Sequence, residues 1–363
     1  MPAAAGPYGR WVSQGPAVHE SGPQPPPLEA VRLRLFCVPP AGMGGQAYHG
    51  WTRRLPEGVE VMPLELPARG LRMGEEVPYA SSLAELARGV LDGVGLAVFA
   101  ARPFVLFGHS FGAWVAYEML RELARRAEHG WPLPLKLYVS ACRPPHLSDV
   151  RHDPDALNPA IGSLGEADFW EAFEARYGCN PDLASPLIKG MVRKLLQADF
   201  GLLESYVPSS LEPLEVPLCA LCAEGDNRCR PEQLSQWASL APPGGFQERW
   251  FEGMVKPGWW ATQHRYVVDN PVPLNRFLHA DLPLVGRPPP EPGYAGSEGP
   301  LPRTGEPPLD APGPPPAAPR DPAATACSWR VGVASFGGDT ADCAGRTGPD
   351  PSAAPAGCRA EGR

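Results

Sequence analysis

The stretch Pro103-Phe104-Val105-Leu106-Phe107-Gly108-His109-Ser110-Phe111-Gly112-Ala113 decides how the rest of the chain is read. It opens on an apolar run, and Trp114-Val115-Ala116-Tyr117-Glu118-Met119-Leu120 continues it with helical patterning. The segment therefore reads as strand, tight turn and helix, with Ser110 at the apex. Gly108 and Gly112 flank the serine at i−2 and i+2, the G-x-S-x-G spacing of a nucleophile elbow. In such a turn the serine backbone is strained, and only glycines leave room for strand and helix to approach so closely. An exposed hydroxyl is the expected result. In a chain with 40 glycines the spacing alone also fits a structural turn; the strand before it and the helix after it favour catalysis.

Outward from the elbow, strands and helices alternate. Val31-Arg32-Leu33-Arg34-Leu35-Phe36-Cys37-Val38 reads as a strand running into the glycine loop Pro39-Pro40-Ala41-Gly42-Met43-Gly44-Gly45. A second strand covers 59–66, a helix 82–91 with serines available to cap it, and a further strand 135–140. The alternation breaks between about Asp153 and Val207, where 166–173 and 188–196 read as amphipathic helices with no strand between them, the place for a lid. It resumes with a strand at 216–222, a helix at 231–240, a strand at 248–251 and a last helix at 271–279. This order predicts an α/β protein with a mostly parallel central sheet flanked by helices.

Composition sets the limits. The 363 residues include 49 prolines, which crowd both ends, for example Gln24-Pro25-Pro26-Pro27. Segments so poor in large apolar residues cannot bury enough surface to offset chain entropy. Residues 1–30 and 283–363 are therefore expected to be disordered, leaving 31–282 as one folded domain. The net charge of −8 offers no basic field for nucleic acid. No long apolar segment or leader-like start is present, so a cytoplasmic protein without membrane contact is expected. Of nine cysteines, Cys37, Cys142, Cys219 and Cys222 sit in apolar runs and read as small core residues. Cys219, Cys222 and Cys229 lack a second pair at metal-binding spacing, so no metal is expected. Cys327, Cys343 and Cys358 fall in the tail, to which no role is assigned.

Serine attack needs a base, an acid to orient it, and two backbone N–H groups for the oxyanion. In α/β-hydrolases the chain order is Ser, Asp or Glu, then His. Glu224-Gly225-Asp226 follows the strand after the two helices, which makes Asp226 the candidate acid with Glu224 in reserve. A solvated turn acid is the structural alternative. Only His264 and His279 lie beyond it. His279 reads as a helix-end residue, whereas His264 precedes the last helix, where a triad base belongs, with a surface loop histidine as the alternative. His109 is expected to pack under the elbow. The oxyanion donors are expected to be the N–H groups of Phe111 and, from the first glycine loop, Ala41. A phosphate-binding reading of that loop fails for want of a following Lys-Ser or Lys-Thr.

With these pieces placed, the chain from about Arg32 to Leu282 resembles the type II thioesterases of polyketide and nonribosomal peptide synthesis. The motifs that carry the resemblance are Leu35-Phe36-Cys37-Val38-Pro39-Pro40-Ala41-Gly42, Gly50-Trp51, Leu66-Pro67-Ala68-Arg69-Gly70, the elbow itself, and Ser140-Ala141-Cys142-Arg143-Pro144-Pro145-His146. Leu195-Leu196-Gln197-Ala198-Asp199-Phe200, Glu204-Ser205-Tyr206 and Pro231-Glu232-Gln233-Leu234 follow in order. The resemblance implies an α/β-hydrolase fold with a helical lid at about 153–207. It implies hydrolysis of acyl thioesters from the phosphopantetheine arm of an acyl or peptidyl carrier protein, in polyketide, nonribosomal peptide or fatty acid synthesis. Vertebrate chain-terminating acyl-carrier-protein hydrolases are a related branch. By motif, Ser110 is the nucleophile, Asp226 the acid, His264 the base, and Ala41 and Phe111 the amide donors; no cofactor is implied, and a monomer is expected. One departure stands out. The family runs through a short Gly-Gly turn directly to histidine, whereas here Met254 to Gln263 separate Phe251-Glu252-Gly253 from His264. Two other functions fit the same residues: a hydrolase of soluble esters or lipids, and a carrier-binding pseudoenzyme whose inserted loop displaces His264.

Overall fold

The apolar run before Ser110 forms a strand, β3 (Phe104–His109), inside a six-stranded sheet. A computed structural model of the chain describes residues 8–13, 26–154, 160–180, 183–252 and 263–284. The other strands are β1 (Leu33–Val38), β2 (Val59–Pro63), β4 (Leu137–Ser140), β5 (Leu218–Ala223) and β6 (Phe246–Phe251). Their order is β2-β1-β3-β4-β5-β6, and every pairing between them is parallel. Strands buried on both faces carry near-continuous apolar runs, and β1, β3, β4 and β5 are buried at every position. The edge strand β6 alternates instead.

Helices cover the sheet as parallel crossovers require. Helix α1 (Leu83–Val94) starts at Ser82, whose side chain accepts the Glu85 N–H, and it buries the i, i+3, i+4 stripe Leu83, Leu86, Ala87, Val90, Leu91 and Val94. A short α2 (Leu96–Ala100) leads to β3, and α1 packs on α3 (Phe111–Arg126), the helix that follows the elbow. Between β4 and β5 lie α4 (Glu166–Tyr177) and α5 (Pro186–Glu204). Ile161, Phe169, Trp170, Leu196 and Phe200 build a second apolar cluster there, which reaches Ala41. The 231–240 segment divides into a short α6 (Pro231–Leu234) and a 3-10 turn over Ser235–Leu240. Trp237, buried in that turn, donates its indole N–H to the Cys142 carbonyl at 2.8 Å. The chain then closes with α7 (Tyr266–Asp269) and α8 (Val272–Asp281).

The amino-terminal segment differs in part from the expected disorder. Val12 bridges Leu64 in antiparallel fashion and is buried, so residues 8–13 cover the outer edge of β2. Trp11 lies on α1, where a Cβ at Gly93 would meet its ring at 1.9 Å, and the Arg72 guanidinium stacks 3.4 Å over it. Proline richness hid this contact because one tryptophan and one valine carry it. Residues 1–7, 14–25 and the tail from 285, with the disorder expected of them, lie outside the described residues.

Strand order also locates the site. From β1 the chain adds β2 on one side, then crosses to add β3 on the other. Such a switch point leaves a crevice outside the carboxyl ends of the neighbouring strands. The Pro39–Gly45 loop leaves β1 at that crevice, and the elbow leaves β3 beside it.

Candidate active site

Ser110 occupies the left-handed side of backbone space, φ 54° and ψ −121°, between β3 and α3. Its N–H is held by the Ser140 carbonyl at 2.8 Å, which fixes the strained turn against β4. The glycines are needed for approach. A Cβ on Gly108 would lie 2.1 Å from the Gly112 carbonyl oxygen, and one on Gly112 would lie 2.3 Å from that of Val38. Phe111 begins α3, so its amide has no partner four residues earlier and is available to an anion. Ala41 follows β1 on the other side of the crevice. The Tyr48 hydroxyl donates to the Val38 carbonyl at 2.8 Å and secures the root of that loop.

His264 lies beside the serine despite the ten residues inserted before it. Its Nε2 is 2.9 Å from Ser110 Oγ, and its Nδ1 is 3.0 Å and 3.1 Å from the two Asp226 carboxylate oxygens. Asp226 follows β5, with a side chain that is fully buried. Burial alone raises the pKa of such a carboxyl; the facing His264 and the Arg228 N–H, 2.7 Å from Oδ1, reverse that and leave it below the usual carboxylate range. Glu224, the reserve acid, is exposed. His279 sits in the last turn of α8, turned to the Arg54 carbonyl at 3.4 Å.

His109 packs beneath the elbow and supports the histidine above it. Its Nε2 is 2.8 Å from the His264 carbonyl and its Nδ1 2.8 Å from Ser140 Oγ. A carbonyl only accepts, so Nε2–H donates to His264 and Nδ1 accepts the Ser140 hydroxyl. Ser140 accepts in turn from Tyr266, 2.5 Å away, a phenol kept protonated by burial. His109 stays neutral: burial, and after it the facing His264, lowers its pKa to about 3. His264 is thus located from its carboxyl-terminal side, by its own carbonyl and by Tyr266 two residues on. Of the inserted stretch, Met254 to Gln263, only Gln263 is among the described residues.

Above the serine opens a cleft of about 750 Å³, its mouth included. Trp114, Tyr177, Phe200 and Leu203 give it apolar walls, and a chain of charges crosses one side. Asp153 receives Arg143 at 3.2 Å and Arg228 at 2.8 Å, while the two guanidiniums stack on Trp114 and Tyr177. Sequence reasoning gave Asp153, Arg143 and Arg228 no shared role, because they come from separated segments with no common spacing.

Cys219 and Cys222 lie in β5 as buried core residues. An offset of three along a strand sends them to opposite faces. Among the described residues no group of three or more His, Cys, Asp or Glu is arranged to hold a metal ion. Nor is any helix among them long and apolar enough to cross a membrane.

A parallel sheet, a strained Ser between strand and helix, and a His reached after an acid define an α/β-hydrolase. Comparison with known proteins narrows the class. Residues 33–268 match the thioesterase-domain family, and the chain belongs to it as a thioester hydrolase. Gramicidin S biosynthesis protein GrsT of Aneurinibacillus migulanus is 27% identical over 258 residues, covering 70% of this chain and 91% of that protein. Thioesterase PikA5 of Streptomyces venezuelae is 30% identical over 220 residues, covering 59% of this chain and 70% of its own. Among solved structures, the RedJ thioesterase from the prodiginine biosynthetic pathway of Streptomyces coelicolor aligns with a TM-score of 0.59 at 30% identity. It covers 72% of this chain and 95% of that one.

Proposed function

We propose that the protein is a type II thioesterase that hydrolyses acyl groups from the phosphopantetheine arm of acyl or peptidyl carrier proteins, by a Ser-His-Asp mechanism. The observation that carries this reading is the pair of contacts at His264, 2.9 Å to Ser110 Oγ and 3.0 Å to Asp226. Ser110 attacks the thioester carbonyl as His264 takes its proton, and Asp226 holds the imidazole and balances its charge. The tetrahedral oxygen draws on the N–H groups of Ala41 and Phe111. Collapse breaks the C–S bond, His264 returns the proton to the pantetheine sulfur, and the thiol leaves. Water repeats the cycle on the acyl-serine and releases the free acid.

The catalytic domain spans about 31–282, and the segment 153–207, with α4 and α5, acts as a lid over the acyl cleft. The kinship with proteins named for gramicidin S and prodiginine biosynthesis supports a carrier-bound substrate. The chain works without a cofactor, as a cytoplasmic monomer; its six described cysteines are free, which suits a reducing compartment. The test is incubation with acyl-loaded carrier protein, followed by intact mass of the carrier. Wild-type protein removes the acyl mass and Ser110→Ala does not; equal turnover by Ser110→Ala overturns the mechanism. Turnover of a free ester with no gain from carrier attachment overturns the substrate class and favours the soluble-ester reading.

A further inference from the structure

The Asp199 and Arg69 motifs take no part in the chemistry described above, yet they meet beside it. Asp199 lies on α5 and is 0% exposed, and Arg69, which follows the loop after β2, is 4% exposed. The guanidinium binds the carboxylate in parallel, Nη1 to Oδ2 at 2.9 Å and Nη2 to Oδ1 at 2.8 Å, and the Tyr79 hydroxyl donates to Oδ1 as well. The remaining acceptor capacity of Asp199 is directed at the glycine loop. Gly42 N–H donates to Oδ2 at 2.7 Å. Arg69 grips the same loop from below, Nη1 to the Met43 carbonyl at 3.2 Å.

Gly42 is the residue after Ala41, and its φ of 72° requires glycine. A Cβ there would stand 2.3 Å from Leu196 Cδ2, so α5 touches the loop twice, through Leu196 and Asp199 three residues apart on one helix face. The peptide plane between Ala41 and Gly42 carries the Gly42 N–H. Fixing that N–H fixes the plane and the Ala41 carbonyl within it. The Ala41 N–H lies in the preceding Pro40–Ala41 plane, hinged to this one at the Ala41 Cα, so anchoring Gly42 restrains the hinge on which the Ala41 N–H turns.

We propose that Asp199 is a positioning residue: from α5, and held by Arg69, it sets the Ala41–Gly42 turn so that the Ala41 amide faces the developing oxyanion. The helix that walls the cleft and the amide that stabilises the transition state then move as one. Displacing α5 takes away the acceptor of Gly42 N–H, and the oxyanion site is complete only with α5 in place. This rests on the thioesterase reading above.

Removing Asp199 alone strands a buried guanidinium and can unfold the protein. Two double variants avoid this. Arg69→Met with Asp199→Asn keeps an oxygen able to accept from Gly42 N–H, and Arg69→Met with Asp199→Leu does not. Both are compared with wild type on a short acyl thioester, and by 19F NMR of the hemiketal formed with a trifluoromethyl ketone analogue of that thioester. The Asn pair should keep kcat within roughly threefold, while the Leu pair loses roughly 10- to 100-fold in kcat with little change in KM. In the Leu pair the hemiketal should also ionise at higher pH and dissociate more readily. Equal kcat and equal hemiketal ionisation in the two folded pairs overturn the proposal, as does a loss confined to KM. If the Leu pair proves unfolded, Leu196→Ala, which loosens the same contact without touching the ion pair, should lower kcat in the same sense; an unchanged kcat overturns the coupling. A hemiketal that forms in wild type and ionises identically in both pairs, but does not form in Ser110→Ala, refutes the clamp alone. No hemiketal in wild type refutes the nucleophile reading and the clamp with it.

Discussion

Acidification tests the support beneath the active site, with His109→Gln as the perturbation. His109 is 2% exposed, and its partners are the His264 carbonyl, Ser140 and, through Ser140, Tyr266; Asp226 is the nearby acid and His264 the nearby ring. Its pKa falls from 6.5 to about 3 on folding. The unfolded chain therefore binds one more proton than the folded one in this window. The sign follows: the contribution is fully present above pH 6.5, and it is lost as pH falls towards 3. The slope is about 1.4 kcal/mol per pH unit, so acidifying to pH 4 removes roughly 3 kcal/mol. That is a large part of a typical folding stability. The substituted glutamine keeps a donor for His264 and an acceptor for Ser140 but does not titrate. Urea unfolding of both proteins at intervals between pH 7 and pH 4 separates this effect, because Asp226, the other histidines and the buried glutamates contribute to both curves. The wild-type stability should fall more steeply by about one proton's worth. Parallel curves refute the neutral, donor-accepting state assigned to His109.

Two further outcomes are expected. Asp226→Asn preserves the shape of the site but presents the wrong hydrogen-bonding group to His264 Nδ1, so kcat should drop by roughly 10⁴ with KM little changed, read from thiol release. Trp11→Ala removes the ring lying on Gly93 and under Arg72, and should cost about 1.5–3 kcal/mol in thermal or urea unfolding while leaving kcat unaltered; an unchanged midpoint contradicts the role of residues 8–13 in covering the β2 edge.

What was legible in the sequence depended on local periodicity. Apolar runs such as Phe104–Phe107 and Leu218–Cys222 announced strands buried on both faces, and the 3.6-residue stripe of α1 announced its inner face. Ser110, Asp226 and His264 were found through chain order, which the fold converts into proximity, and they meet within hydrogen-bond distance. Contacts between distant segments left no such trace. The Asp153 bridge and the docking of Trp11 depend on tertiary approach alone. Asp199 did carry a signal: an acid at the apolar positions of a helix, between Leu195-Leu196 and Phe200, is a buried charge in need of a cation. Arg69 supplies it from 130 residues away in sequence.

The way His264 is held has a consequence for how this chain tolerates change. A side chain fastened through its own carbonyl and through the residues after it depends little on the length of chain that leads up to it. Lengthening the connection from Phe251 to Gln263 then meets chiefly loop-closure entropy, about 0.6 kcal/mol for each doubling. Insertions or deletions within 254–262 should therefore leave the contacts of His264 with Ser110 and Asp226 in place.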